Sequence, residues 1–245
     1  MNSSADKGGM LPTTLLDPSV LSVDGTPASA MPRTPGLHDI ETRLADGRSA
    51  RFTLSLPAAT SVGPPLVLVL HYAGQPTRFY GRPLLEQLFA PALATLDAVL
   101  VAPESLGGQW NESANEAWVI GLLDAVVDTY EVDRARIALG GYSMGALGTW
   151  HLAAHYPERF SALIPIAGIP AAAVDAMQPA YMLASPDDEL FDFARFEDLA
   201  AQRRAAGHGV ELARVAARGH YDVGGFRSAL DAVAPWLAAL WSRPS

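Results

Sequence analysis

Apolar residues recur along this chain in two rhythms. Runs of five, Leu66-Val67-Leu68-Val69-Leu70 and Ala98-Val99-Leu100-Val101-Ala102 being the clearest, are continuous, as in strands covered on both faces of a parallel sheet. Between such runs lie longer stretches with helical spacing; in 116–130, Trp118, Leu122, Ala125 and Val126 form one core-facing stripe. Helices are accordingly predicted over 82–95, 116–130, 144–155, 193–206 and 224–241. Strands are predicted over 66–70, 98–102, 136–139, 163–166, 180–183 and 210–215, with Pro165 shortening or bending its own. Ahead of this series, 40–44 and 49–56 alternate their sides around Asp46-Gly47, a β-hairpin signal. A hairpin followed by repeated strand–helix units implies an α/β fold: a mostly parallel sheet, helices on both faces, and an N-terminal antiparallel hairpin. The connection 168–179 is too short for a separate lid domain.

Residues 1–35 are rich in Ser, Thr, Pro, Gly and Asp with little periodicity, which predicts a poorly ordered tail ahead of one domain over 36–245. The alternative is an arm in which Leu15, Leu16, Val20 and Leu21 pack on the domain or on a partner subunit. A net charge of −9 excludes non-specific nucleic-acid binding and electrostatic docking on an anionic membrane. With no cysteine, disulfides, thiolate metal sites and a Cys nucleophile are excluded. Pro12, Asp17, Pro18 and Asp24 interrupt any apolar stretch after Lys7, and no uncharged run is long enough to span a bilayer. A cytoplasmic protein is expected; the composition leaves its oligomeric state open.

Gly141-Tyr142-Ser143-Met144-Gly145 matches G-x-S-x-G, and it falls between a predicted strand and a predicted helix, the setting of a nucleophile elbow. The sharp turn demands small flanking residues, and the helix N-terminus behind Ser143 favours developing negative charge. A serine hydroxyl needs a base. In the chain order Ser, acid, His the base lies late, where His208 and His220 are found. His208 precedes the last strand, at the wrong end of the sheet; His220 follows that strand and is the expected base. The acid belongs after the strand 180–183, in Ser185-Pro186-Asp187-Asp188-Glu189-Leu190. Asp187 is favoured, Asp188 stays open beside it, and Asp175 is the outside candidate. Oxyanion donors are expected from the N–H of Met144 and, in His71-Tyr72-Ala73-Gly74-Gln75, from the N–H of Ala73 rather than Tyr72. His71 is read as a group holding that loop.

Together with Tyr130-Glu131-Val132-Asp133-Arg134-Ala135-Arg136-Ile137, the block from Gly140 to Trp150, continuing through Tyr156-Pro157-Glu158-Arg159-Phe160 to Pro165-Ile166-Ala167-Gly168, resembles the α/β-hydrolase superfamily. The likeness runs from about Ile40 to Trp241 and is greatest to the esterase and polyhydroxybutyrate-depolymerase-like branch, with its dienelactone-hydrolase-like and predicted peptidase members. It implies ester hydrolysis through a covalent acyl-serine on a small-molecule ester, without a cofactor. In place of the family's His-Gly-x-Gly loop stands His71-Tyr72-Ala73-Gly74, so a bulky Tyr72 replaces the first glycine. Ala146 stands where a glycine is common. Peptidase or thioesterase activity, or a non-catalytic scaffold that binds a small molecule, are the alternatives.

Tyr72, Phe191 and Tyr221 border the proposed loops and are expected to shape the substrate pocket. Trp110, after a strand C-terminus, is a candidate for its lining or for the core. Trp118 and Trp150 read as core, and Glu112 and Glu116 as solvated. His151 and His155, four apart on one helix face, have metal-ligand spacing, but with no carboxylate partner apparent no metal is expected.

Overall fold

A computed structural model describes residues 16–242 apart from 60, 61, 76 and 172–174. Ten strands form one sheet: β1 (Leu16–Val23), β2 (Thr26–Ala28), β3 (Gly36–Leu44), β4 (Ser49–Leu56), β5 (Leu66–Leu70), β6 (Val99–Pro103), β7 (Ile137–Tyr142), β8 (Ala162–Ile166), β9 (Ala180–Ala184) and β10 (Val210–Arg214). Their order is β10-β9-β8-β7-β5-β6-β4-β3-β1-β2. From β10 to β6 neighbours are parallel; from β6 through β4, β3 and β1 to β2 they are antiparallel.

The continuous apolar strands are buried on both faces, as expected. Leu66, Leu68 and Leu70 of β5 join one core cluster with Trp118, Trp150 and Phe196, while Val67 and Val69 join the other with Phe89, Leu230 and Leu237. Strand periodicity of two thus divides one run between two helical layers. Helices α3 (Ser113–Tyr130), α4 (Met144–His155) and α5 (Phe193–Ala205) supply the first layer. The second is built from α1 (Arg82–Leu84), α2 (Ala90–Ala92), α6 (Arg227–Leu230) and α7 (Val233–Trp241) with the helical turns beside them.

Two predicted helices are broken in the structure. Between α1 and α2, Leu85–Phe89 is a π-helical turn, and Ala94–Leu96 is a 3-10 turn. Pro91 explains this: it has no N–H for the ladder, and Ala90 donates instead to Leu85 O, one residue wider than α-helical spacing. The predicted 224–241 helix begins as a 3-10 turn over Val223–Phe226, and α6 stops before α7 restarts at Val233. Pro235 then lies in the first turn of α7, where its missing N–H costs no bond.

The expectation of a poorly ordered tail over 1–35 is corrected from Leu16 onward. Strand β1 pairs with β3, Leu21 and Val23 pack on the core, and the Tyr130 hydroxyl donates to Pro32 O at 2.8 Å. The spaced apolar residues and turn formers there carry too weak a pattern to mark a strand on their own; β3 supplies the partner. Residues 1–15, with Leu15 of the alternative arm, lie outside the described residues. Among the described residues, no helix is long and apolar enough to cross a membrane.

Candidate active site

The chain runs from β5 to β6 on one side and then returns to β7 on the other, so the strand order switches direction at β5. Loops leaving the C-terminal ends of β5 and β7 diverge there and leave a crevice. Ser143 stands in it, directly between β7 and α4, with φ 54° and ψ −114°. This strained conformation is held by close approach on either side. A Cβ on Gly141 would lie 2.4 Å from the Gly145 carbonyl oxygen, and one on Gly145 would lie 2.0 Å from that of Leu70. The turn closes only because both are glycine.

Ser143 Oγ is 2.7 Å from His220 Nε2, and His220 Nδ1 is 2.8 Å from Asp188 Oδ2. The imidazole is almost wholly buried, and the Asp188 carboxylate still more so. The geometry therefore corrects the choice of acid: Asp188, not Asp187, meets the ring. Ser185 opens a turn in which Asp188 N–H donates to Ser185 O and Asp187 N–H to Ser185 Oγ. Pro186 and Asp187 occupy its tip, so Asp187 is exposed while Asp188 returns to the sheet edge. The second oxygen of Asp188 accepts the N–H groups of Leu190 and Phe191, which fixes the carboxylate from behind. Asp175 is exposed, and His208 precedes β10 at the opposite end of the sheet.

Two further groups grip the backbone of His220, and neither was singled out from the sequence. The buried Tyr142 hydroxyl donates to His220 O at 2.7 Å, and Glu189 Oε2 accepts from His220 N–H at 2.7 Å. Burial pushes the Tyr142 hydroxyl pKa well up, with the carboxylates of Asp188, Asp222 and Glu189 adding to it, so it stays a donor. Both adjoin residues that had been identified, Tyr142 beside the serine and Glu189 beside the acid, and that adjacency was the only sequence signal.

Phe191 lies tilted 5.5 Å from the His220 ring, and Tyr221 stands edge-on at 5.3 Å with most of its surface exposed. Tyr72 is half-buried, edge-on to Tyr80 and Tyr142. Met144 is the first residue of α4, and Ala73 is exposed in the loop after β5. Trp110 is a core residue that also borders a cavity. It is 1 % exposed and its indole N–H donates to His71 O, yet it walls a cavity of about 230 Å³ with Gln109, Met144, Leu147 and His151. His71 holds its loop as read: Nδ1–H donates to Tyr72 O at 2.8 Å, and Nε2 accepts from Ser105 N–H at 3.0 Å. Burial lowers its pKa to about 4, with the Tyr72 bond opposing in part.

The reading of Glu116 as solvated is also corrected. Its carboxylate reaches across to α4, where Oε1 is 2.6 Å from His151 Nε2, so His151 and His155 do have a carboxylate neighbour. Glu112 sits in the loop ahead of α3 and accepts the Gln109 N–H.

No known family's sequence profile matches the chain. It is 28% identical over 153 residues to acetylxylan esterase A of Emericella nidulans, covering 56% of this chain and 49% of that protein. To the probable acetylxylan esterase A of Aspergillus flavus it is 25% identical over 157 residues, covering 58% and 50%. The chain thus spans about half the length of these relatives. Among solved structures, a thermostable esterase superposes with a TM-score of 0.65 at 20% identity, covering 82% of this chain and 62% of that one. The S-formylglutathione hydrolase of Agrobacterium tumefaciens gives a TM-score of 0.65 at 16% identity, covering 87% and 99%. Strand order, the elbow at the end of β7 and these superpositions agree on one architecture: the chain has the α/β-hydrolase fold.

Proposed function

We propose that this protein is a serine hydrolase, a carboxylesterase that cleaves small or moderately sized esters through an acyl-serine intermediate. One observation carries the reading: the unbroken line from Asp188 through His220 to Ser143, with bonds of 2.8 and 2.7 Å, at a strained turn. In the proposed reaction His220 Nε2 takes the Ser143 proton as Oγ attacks the ester carbonyl. Asp188 keeps Nδ1 protonated and stabilises the imidazolium without accepting its proton. Backbone N–H groups of Met144, at the positive end of α4, and of Ala73 hold the oxyanion. His220 then protonates the leaving alcohol, and water, activated by the same ring, releases the acid and frees Ser143.

The modest cavity beginning at Met144 suits a short acyl group, and the acetyl-ester activity in the relatives' names points the same way. Phe191 and the exposed Tyr221 are proposed to flank the alcohol side. Tyr72 packs against two other tyrosines, which favours a role in shaping the loop over blocking it. A cytoplasmic location is proposed alongside, to be checked by fractionating cells that express the untagged chain.

The test is turnover of p-nitrophenyl acetate, butyrate and octanoate by the wild type and by Ser143→Ala and His220→Ala. We expect acetate to be preferred and kcat to fall at least about 10³-fold in either variant, with circular dichroism unchanged. A folded wild type that turns over none of these esters, and whose serine resists a fluorophosphonate, would leave only the non-catalytic scaffold.

A further inference from the structure

Outside the active site, His151, His155 and Glu116 are brought together by α3 and α4. The two imidazoles lie one helical turn apart with ring centroids separated by 4.1 Å. Glu116, in the first turn of α3, meets His151 from the other helix. One ligating atom from each of the three lies within 4.8 Å of the other two. Among the described residues' ion pairs, the Glu116 carboxylate meets no arginine; its partner is an imidazole.

The donors are also oriented. His155 Nδ1 lies 2.9 Å from His151 O; donating there fixes the tautomer and leaves the lone pair of that ring on Nε2. His151 and Glu116 are mostly covered, at 24% and 18% side-chain exposure, so their rotamers are restricted, while the exposed His155 leaves a route for an ion to arrive. His155 is the last residue of α4, where the carbonyl end of the helix favours positive charge. Two imidazoles and one carboxylate are a donor set that zinc accepts, with water completing four positions. Ligands on a tetrahedral ion at about 2.1 Å stand about 3.4 Å apart, so the carboxylate needs only a small retreat from His151 to admit one.

We propose that Glu116, His151 and His155 bind one divalent cation of the zinc type, clamping the start of α3 to the end of α4. Because His151 also walls the cavity beside Met144, the ion stiffens that wall. The site is separate from the Ser143 line and does not depend on the esterase reading.

Zinc chloride is titrated calorimetrically into untagged, chelator-stripped protein, and Tm is followed with and without zinc. One equivalent is expected to bind wild type and raise its Tm. His155→Ala and Glu116→Gln are each expected to weaken binding about tenfold or more and to remove the Tm rise. His155 is exposed, so its variant is expected to keep its fold and its zinc-free Tm. Failure of wild type to saturate below millimolar zinc would overturn the proposal. Equal affinity in all three proteins would overturn it too, by locating the ion elsewhere.

Discussion

Two histidines follow parallel strands at the same edge of the sheet, and both are almost completely buried. His71, after β5, is 1% exposed; His220, after β10, is 3% exposed. Their backbones are even gripped alike, the carbonyl of His71 by the Trp110 indole and that of His220 by the Tyr142 hydroxyl. The rings differ in what they touch. His71 spends both nitrogens on backbone groups, Tyr72 O and Ser105 N–H, so neither faces a charge or a reactive group. His220 faces a carboxylate on one side and a hydroxyl on the other. A buried carboxylate on Nδ1 orients the ring and holds its tautomer, so that Nε2 is the nitrogen presented to the hydroxyl. Partner chemistry, not depth, separates a loop strut from the proposed base.

The strongest way to break this comparison is to make His220 resemble His71. Asp188→Asn keeps the shape but removes the charge, and its amide can hold the ring in the wrong tautomer. Turnover of p-nitrophenyl acetate is expected to fall by about 10³- to 10⁴-fold. Asp187→Asn, at the exposed tip of the same turn, is expected to stay within about twofold of wild type. The reverse ranking in steady-state kcat would restore Asp187 as the acid and defeat the geometric assignment.

A second test acts on His71. Its folded pKa of about 4 lies below the ordinary 6.5, because burial penalises the charged ring. The unfolded chain therefore binds the extra proton first as pH falls. Stability from the neutral ring is complete above about 6.5 and is lost as pH drops toward 4, amounting to roughly 3 kcal/mol. His71→Gln is expected to be less stable at pH 8 by about 1–3 kcal/mol, since Ser105 N–H loses a well-placed acceptor. Between pH 6.5 and 4, however, its urea-unfolding free energy should fall less steeply than that of wild type. Parallel slopes would mean that His71 is protonated in the native protein.

How much of this was legible in the sequence depends on range. The elbow could be read because everything it needs is local: a strand, two glycines, a serine and a helix within about twenty residues. The doubly covered strands could be read for the same reason, each carrying its own burial pattern. The choice between Asp187 and Asp188 could not, because it turns on which of two adjacent, chemically identical residues of one tight turn points inward. Glu116 was misread since its partner His151 is far along the chain and is met only when α3 packs beside α4. Likewise β1 looked like tail, as its alternation has meaning only beside β3. The kinked 82–96 segment was the exception: Pro91 was visible, but its effect was masked by a strong apolar pattern around it.

The smallest expected effect concerns the grip on His220, and it asks whether the loop or only the ring is prepared for catalysis. Glu189 Oε2 accepts the His220 N–H while Gly219, immediately before it, sits at φ +136°. Glycine adopts this φ freely, so the Glu189 bond selects one of several conformations open to the loop. Glu189→Ala removes the acceptor, and kcat/KM is expected to drop about five- to tenfold as the ring samples orientations away from Ser143. Glu189→Gln keeps an oxygen acceptor but no charge. If Glu189 only positions the loop, the glutamine variant should recover most of the activity, with the acid limb of the pH–rate profile where it was in wild type. If its charge assists the imidazolium directly, the glutamine variant should be as impaired as alanine and its acid limb should move to lower pH, because the protonated ring has lost a favourable neighbour. Tyr142→Phe supplies the matching control on the carbonyl side. It removes a bond but no charge, so a tenfold-scale loss there with an unmoved pH profile would show that holding the His220 peptide is enough to account for the effect.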